Sequence, residues 1–446
     1  MYRAAFCTAI ALALLASTAR GDDKDAFWNR IKERYREYTR IHQDPASGLI
    51  YVGKLDELKA EKRNTVTDVL QGTVRGVPSA CGYGKAGDSG IADTSLFGGQ
   101  MLYAMLEAHD VHQDPEVADW ARLLFKGMKV IGTTSPVPGF VVRGPHPNNP
   151  KAYYKDSSMD QHSTYCIALW RYYHCPLATE KDKTFIRDSL DKFAARLEKN
   201  RWRILTEDDS RIAHAGGADL TRIDSRAVTL LLPMVGAVAD VTQKDHWRDT
   251  YERFASDRDG IRLKTLYPDH KGFAQNAHLQ WGQQVIFRIH YWYAFEKNPE
   301  RRRAILAHAK GCTEQRLAQE FPPQTGKGGL FELFCKNTLT PDEAKQLGWT
   351  QGFMPGPVQA WEHYRPEYAK LPSKLRVKLR SICVLYPSSV FTMGVFSRAP
   401  AIETQCADLA RQMLDTVDVT RFSGWPHWGL LVPAWKAYAL QSATGQ

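Results

Sequence analysis

The chain has 446 residues, of which 43% are hydrophobic, 24% charged and 11% aromatic. This composition excludes disordered, collagenous and membrane-spanning proteins and is typical of a globular protein with a large core. The formal net charge of +10 indicates a polyanionic partner, because Lys and Arg side chains around a cleft concentrate negative ligands. A dispersed, solvated excess of basic side chains is the alternative.

Residues 1–21 have the features of a secretory signal peptide: Arg3 near the start, an apolar run from Ala4 to Ala16, and small residues before the acidic DDKD. The run is too short to span a bilayer. We therefore expect an exported, soluble protein, either periplasmic or secreted, with one domain from 22 to 446. For such a monomer an acidic polysaccharide is the expected partner, rather than a nucleic acid or a membrane.

Hydrophobic residues recur mostly at helical spacing. Three segments each place their hydrophobic residues on one face of a helix, as an apolar stripe. The stripes consist of Val117, Trp120, Leu124, Met128 and Ile131, of Ile186, Leu190, Phe193 and Leu197, and of Trp281, Val285, Ile289 and Tyr293. Further helices are predicted near 25–42, 93–110, 219–240, 298–320, 356–370, 402–416 and 427–442. Only residues 384–396 resemble a strand. Helices alternating with long loops predict an all-α protein, an (α/α) toroid or barrel of helical hairpins whose rim loops form a cleft.

The densest group of polar and aromatic residues lies within 139–174. Ser158 and Gln161 fit a helix-capping box, which predicts a helix that begins near Met159. Arg and His side chains beside a helix N-terminus suit a carboxylate ligand. The candidate residues are Arg143, His146, Tyr153, Tyr154 and Asp156 in the preceding loop, and Asp160 and His162 in the first turn of the helix.

Three later segments carry further candidates. In 211–224, His214 precedes two glycines that let backbone approach a ligand closely, and Asp219 is a candidate cap for the next helix. Residues 260–284 are predicted to supply an opposite wall, with Arg262, Tyr267, His270, Asn276, His278 and Trp281. Near the C-terminus, Trp425, His427 and Trp428 lie at a turn before a helix, where aromatic rings either stack on sugars or pack in the core.

Several kinds of chemistry lack their sequence motifs. The chain has no HExxH, GxSxG or Walker motif and no GxGxxG at a strand-to-helix turn. The cysteines after the signal peptide are odd in number and lack zinc-like spacing. We therefore predict no metal and no cofactor, and expect at most one or two disulfides. Cys166 lies in an apolar helical pattern typical of a buried thiol.

The residue types that are left suit β-elimination from a uronic-acid polymer. That reaction needs the carboxylate neutralised so that C5–H becomes acidic, a base for that proton, and an acid for the departing O4. Arg, His and Asn side chains can hydrogen-bond to the enolate-like intermediate. A Tyr whose pKa is lowered by a nearby Arg can take the C5 proton and return a proton to the leaving oxygen on the same face.

The segment GFVVRGPHP, the following YYKDSSMDQHSTY, the helical layout and the signal peptide together resemble the exported α/α-toroid polysaccharide lyases, most closely polysaccharide lyase family 38. The resemblance covers most of the mature chain. It implies metal-independent, endolytic elimination on β-1,4-linked polyuronates of the glucuronan or alginate type. By order and spacing it places the catalytic roles on His214, Arg262 and Tyr267, with Tyr154 and Arg143 nearby.

Alternatives stay open at this point. Tyr153, Tyr154 or Tyr291 could be the base instead, although Tyr291 falls over three turns into its helix and away from the rim. A glycoside hydrolase on the same fold would use two carboxylates, for instance Asp160 and Asp219. A noncatalytic glycan-binding protein would use Trp281, Trp425 and Trp428 as stacking platforms.

Overall fold

The computed structural model describes residues 25–62, 64–79, 83–84, 87–213, 219–273, 288–320, 339–349, 367 and 370–380, with positions 394, 400, 403–404, 406–407, 411, 414, 431, 434–436 and 438–439 near the C-terminus. The described chain is mostly helical with little strand, so the prediction of an all-α protein is confirmed.

The elements are as follows. The helices are 25–42 (α1), Leu55–Lys59 (α2), Val66–Gln71 (α3), Thr94–His112 (α4), Pro115–Thr133 (α5), Met159–Tyr173 (α6), Glu180–Lys199 (α7), Ser225–Thr242 (α8), Asp245–Lys264 (α9), 288–295 (α10), Pro299–Glu320 (α11), Pro341–Gln346 (α12) and Ser373–Arg380 (α13). Short antiparallel hairpins pair Thr73–Val74 (β1) with Val77–Pro78 (β2), Tyr83–Gly84 (β3) with Gly87–Asp88 (β4), and Pro145–His146 (β5) with Asn149–Tyr153 (β6).

Helices α4 to α9 alternate between an inner and an outer layer. In α4, α6 and α8, 15 of 19, 14 of 15 and 14 of 18 residues are buried. Only 8 of 19, 6 of 20 and 6 of 20 are buried in α5, α7 and α9. A helix buried all round belongs inside, whereas a helix with one apolar stripe lies outside. Since α4 packs on α6 and α6 on α8, with the outer helices packed between them, these six helices form an arc of three hairpins.

Local sequence explains where these helices begin. Asp114 accepts a hydrogen bond from Glu116 N (2.9 Å) ahead of Pro115, the first residue of α5. Thr179 and Asp182 form a capping box at the start of α7. Both arrangements satisfy backbone N–H groups that a helix leaves without partners. The outer helices therefore start at strong local signals.

Several predicted boundaries agree with the structure and others do not. The helices predicted near 25–42, 93–110 and 298–320 are present, and the stripes in α5 and α7 face the core apart from the half-buried Trp120. The helix predicted near 219–240 begins later, at Ser225, because Asp224 caps it by accepting from Ala227 N at 3.0 Å. Within 384–396, the described residue Gly394 is helical, so a strand through this position is wrong.

The two ends of the described chain lie together. Trp28 of α1 packs against Trp435 and Tyr438, with ring centroids 4.9 and 4.4 Å apart. Its Nε1 donates to Asp114 Oδ2 at 2.8 Å. The first described helix and the last described helical residues therefore share one aromatic cluster.

Helix α8 is long and apolar enough to cross a membrane, but 78% of it is buried inside the protein. That burial is typical of a helix in the core of a protein. Cys166 of α6 is also buried, as predicted for a structural thiol.

Candidate functional site

The N-termini of the three inner helices lie side by side. The backbone N–H of Leu96 in α4 donates to Gln161 Oε1 of α6 at 2.9 Å. Arg226, in the first turn of α8, lies 3.8 Å from the sulfur of Met159, the first residue of α6. Side chains from all three helix starts therefore converge at one rim of the arc.

The helix predicted to begin near Met159 does so, but the predicted capping box is wrong. The hydroxyl of Ser158 donates to the carboxylate of Asp160. The side chain of Gln161 instead bridges to α4, where Nε2 donates to Asp93 Oδ1 at 2.9 Å and Oε1 accepts from Leu96 N. Because buried amides need partners for both ends, Gln161 ties two inner helices together.

Asp93 and Arg143 form a buried ion pair beside Gln161. Arg143 Nη2 lies 2.7 Å from Asp93 Oδ1, and the two side chains are 3% and 2% exposed. Burial raises the pKa of Asp93 to about 7; Arg143 opposes this rise and the charge of Asp160 adds to it. The predicted ligand-binding residue Arg143 is therefore held by a carboxylate of the protein itself.

Two further arginines surround Asp160. Arg288 Nε donates to Ser163 Oγ at 3.0 Å, and burial lowers the pKa of Arg288 to about 10, an effect that Arg226 reinforces and Asp160 opposes. Burial also lowers the pKa of Arg226; the neighbouring Arg222 adds to this decrease, and the carboxylates of Asp224 and Asp160 oppose it. We call Asp93, Arg143, Asp160, Arg226 and Arg288 the arginine cluster. Its three guanidinium groups outnumber its two carboxyl groups, so it is positively charged.

Of the two arginines beside Asp160, Arg226 in α8 is more accessible to solvent than Arg288 in α10. It is half-buried, whereas Arg288 is 3% exposed. It also stands in the first turn of a helix, where a cation opposes the helix dipole unless an anion lies near. Asp224, which caps this helix, and Asp160 are two such anions.

Two predicted binding residues, His162 and His146, make contacts within the protein. His162 Nδ1 donates to the carbonyl of Ser158 at 3.0 Å, and burial lowers its pKa to about 4. His146 Nε2 lies 3.0 Å from the carbonyl of Asn64, and its Nδ1 accepts from Asn148 N. Neutral His162 and the buried His146 therefore hold loops in place.

Tyr154 is buried as well. Its hydroxyl donates to the carbonyl of Thr73 at 2.8 Å and accepts from Asn64 Nδ2 at 2.7 Å. These bonds fix the α3–β1 segment to β6. Two contacts of this kind occupy the hydroxyl, which leaves Tyr154 poorly suited to proton transfer.

Arg262 fastens the segment that precedes α8. Its Nη1 donates to the carbonyls of Thr221 and Arg222 at 2.9 and 3.1 Å, and its guanidinium lies 5.5 Å from the ring centre of Phe254. The side chain is buried, and burial lowers its pKa. The catalytic role predicted for Arg262 stays a prediction.

Tyr267 lies on a firmly held loop and is 38% exposed. His308 of α11 contacts the carbonyl of Leu266 at 3.0 Å, and a Cβ on Gly311 would meet Pro268 at 2.3 Å. At the other end of the loop, Gly272 accepts from the backbone N of Ser225, the first residue of α8. The loop therefore presents Tyr267 to solvent while being attached to the α8 end of the rim.

Two other candidate bases, Tyr153 and Tyr291, have raised pKa values. Tyr153 donates to Glu207 Oε1 at 2.5 Å, and burial together with this carboxylate raises its pKa to about 12. Tyr291 is fully buried against Trp170, and burial raises its pKa well above the usual value. A raised pKa disfavours the phenolate form that a general base requires.

Asp219 does not cap α8, so that prediction is wrong. It accepts from Thr221 Oγ1 at 2.7 Å and lies 3.5 Å from Arg203 Nε. Although burial opposes the change, these contacts lower the pKa of Asp219. It is therefore a poor proton donor for the hydrolase alternative.

Seven of the predicted site residues lie outside the described part of the chain. They are His214, Asn276, His278, Trp281, Trp425, His427 and Trp428.

No protein-family model matches the chain, and no curated protein matches its sequence. Among the described residues, His, Cys, Asp and Glu side chains form no group of three or more that could hold a metal ion. The resemblance to polysaccharide lyase family 38 thus stays a prediction.

The sequence interpretation missed Asp93, Arg226 and Arg288. Asp93 had a signal, because an Asp followed by Thr and Ser ahead of an apolar run is typical of a helix start. Arg226 follows such a start directly. Arg288 stands inside an apolar stripe just before Ile289, a position where a charged residue needs a partner.

Proposed function

We propose that this protein is an exported polysaccharide lyase that cleaves an acidic, β-1,4-linked polyuronate by metal-independent β-elimination. The observation that carries the proposal is the positively charged arginine cluster at the shared rim of three inner helices, beside a loop that exposes Tyr267. Helix N-termini and guanidinium groups both stabilise anions. A polymer with one carboxylate on each sugar fits this charge.

Two side chains have the accessibility that the chemistry requires. Arg226 is half-buried and would bind the uronate carboxylate, which makes C5–H more acidic. Tyr267 would remove the C5 proton and then donate a proton to the departing O4, so that the C4–O4 bond breaks as the C4–C5 double bond forms. Arg262, fixed to two backbone carbonyls, would position the loop before α8.

The finer architecture belongs to the same proposal. The arc of inner and outer helices, together with the contact between Trp28 and the C-terminal residues Trp435 and Tyr438, supports a ring of helical hairpins. In such a toroid the N-terminal rim of the inner helices opens onto a central cleft. A single monomeric domain would suffice for this arrangement.

The test is to incubate the purified mature protein with EDTA and with glucuronan, polymannuronate, polyguluronate or hyaluronan, and to follow the ultraviolet absorbance of the unsaturated uronate. We expect absorbance to rise on one polymer. Tyr267→Phe should lower the rate by about 100-fold or more, since it removes the proton-transfer group. The matched variant Tyr153→Phe should keep most of the activity. The reverse pattern would move the base to Tyr153.

A glycoside hydrolase is the second candidate, because Asp93 has a pKa raised to about 7 close to Asp160. Hydrolysis of a glycosidic bond needs two carboxyl groups, one of which donates a proton to the leaving oxygen. This function predicts new reducing ends without unsaturated product, and loss of activity in Asp160→Asn. Polymer binding without any product would instead support a glycan-binding protein.

A further inference from the structure

A pocket lies at the end of the inner helices opposite the arginine cluster. Its volume is about 540 Å³, and the residues that line it include Trp170, His174, Asp240, Phe295, Lys297 and Arg302. Helix α6 runs from the arginine cluster at Met159 to this pocket, and its 15 residues span roughly 22 Å at 1.5 Å per residue. The pocket is therefore separate from the candidate active site.

One wall of the pocket carries an ordered hydrogen-bonding group. Asp240 Oδ2 accepts from Trp170 Nε1 at 2.8 Å and lies 2.7 Å from His174 Nε2. The side chains of His174 and Asp240 are 41% and 29% exposed. Although burial opposes it, the bonds from His174 and Trp170 lower the pKa of Asp240. A carboxylate and an imidazole fixed in this way can bind hydroxyl groups.

Cationic side chains line the facing wall. Arg302 Nη1 donates to the carbonyls of Tyr293 and Glu296 at 2.9 and 2.8 Å, which fixes its guanidinium in place. Lys297 is exposed and interacts electrostatically with Asp240. Glu296 accepts from the hydroxyl of Tyr251 and from the backbone N of Asn298, so its carboxylate already has partners. Arg301 Nη1 lies 3.9 Å from Glu296 Oε2 and balances the charge of that carboxylate. Among the other charged groups of the pocket, Lys297 and Arg302 outnumber Asp240, which leaves positive charge for an anion.

Aromatic rings complete the pocket. The ring centroids of Trp170 and Phe295 are 5.6 Å apart, and Phe295 is only partly buried. Apolar ring faces beside fixed polar groups are suited to a sugar, which has an apolar face and a rim of hydroxyls. Small-molecule sites have volumes of about 300 to 1,000 Å³, a range that includes this pocket.

We propose that this pocket is a second saccharide-binding site that takes a uronic acid of one or two sugar units. Lys297 and Arg302 bind the carboxylate, His174 and Asp240 bind hydroxyls, and Phe295 contacts the sugar ring. The choice of a uronate rests on the proposed function, because a lyase on polyuronates releases such sugars. The pocket itself is defined without that function.

The experiment measures binding of D-glucuronate to the full protein by calorimetry and saturation-transfer NMR, with D-glucose as the uncharged control. We expect glucuronate to bind at least about fivefold more tightly than glucose, because a carboxylate gains charge-assisted hydrogen bonds. Lys297→Gln should weaken glucuronate binding by a similar factor. The matched variant Lys192→Gln, on the outer face of α7 with a side chain 51% exposed, should not.

Three results would overturn the inference: absence of glucuronate binding, equal affinity for glucose and glucuronate, or binding that Arg226→Gln removes and Lys297→Gln leaves intact. The last result would place the sugar at the arginine cluster. The polymer assay keeps the two proposals apart. Binding that depends on Lys297 without polymer cleavage would retain the pocket and reject the lyase, and cleavage without such binding would do the opposite.

Discussion

The charged side chains at the two ends of α6 differ in how far they are exposed to solvent. At its N-terminus, Asp93 and Arg143 pair while only 2% and 3% exposed. At its C-terminus, His174 and Asp240 pair while 41% and 29% exposed. A buried pair is strongly coupled to folding because either partner left alone is a buried charge, whereas a water-accessible pair contributes little to stability. The first end thus fixes geometry, and the second leaves its polar groups accessible to a ligand.

The largest effect should come from breaking the buried pair. Arg143→Met would leave Asp93 in the core without its cation, so we expect the free energy of unfolding to fall by about 3–5 kcal/mol. Urea denaturation followed by circular dichroism measures this. Arg122→Met is the matched control, because its pair with Asp119 is 52% and 76% exposed, and it should cost no more than about 0.5 kcal/mol. Equal losses in both variants would remove the contrast between the two ends.

The next effect concerns pH. His162 and His308 are both buried, and burial lowers the pKa of each from 6.5 to about 4. Between these values the unfolded chain binds protons that the folded chain does not. The contribution of the buried, neutral imidazoles to the free energy of unfolding is therefore fully present above about pH 6.5. It is lost as pH falls toward 4, by about 3 kcal/mol for each histidine.

The check is the urea midpoint measured from pH 7 to pH 4. His162→Asn keeps a donor for the carbonyl of Ser158 but does not titrate, so its midpoint should depend less steeply on pH than that of the wild type. His308→Asn should reduce the slope by a similar amount, and the double variant should reduce it further. A slope that neither variant changes would show that other groups control acid unfolding.

Much of the fold could be predicted because it depends on local patterns. The stripe from Val117 to Ile131 and the stripe from Ile186 to Leu197 identified the outer helices, since one apolar face repeats every three to four residues. The start of α6 at Met159 also followed from sequence. Inner helices such as α8 are apolar on nearly every face, so the sequence indicates a helix there without indicating its neighbours.

The candidate site was harder to predict because its partners are distant in sequence. Gln161 has the residue type and spacing of a capping box, yet it bonds to Asp93, 68 positions away. Arg262 bonds to the carbonyls of Thr221 and Arg222, 41 and 40 positions away. Residue type predicts which interactions a side chain can make, and tertiary packing selects among them.

A smaller effect is expected from two neighbouring glycines of α4, one facing the inner helix α6 and the other facing the outer helix α5. A Cβ on Gly99 would lie 2.9 Å from the backbone oxygen of Thr164 in α6, whereas a Cβ on Gly98 would meet the flexible end of Met128 in α5. We expect Gly99→Ala to destabilise the protein by about 1–3 kcal/mol. Gly98→Ala should be neutral or stabilise by up to about 1 kcal/mol, as alanine does in helices. Thermal unfolding of both variants measures the difference, and equal melting temperatures would contradict it.

The smallest effect is expected at the exposed end of α6. Asp240→Asn keeps an oxygen that can accept from Trp170 Nε1 but removes the charge beside His174, so we expect a loss of only about 0.5–1 kcal/mol. Raising the salt concentration should reduce that loss, because screening weakens the attraction between the Asp240 carboxylate and the exposed Lys297 in the wild type. A loss as large as that of Arg143→Met would mean that the His174–Asp240 pair is a structural clamp like the buried pair. A small loss would instead leave this carboxylate available for a ligand, since a group that folding does not require can keep its polar atoms directed at the pocket.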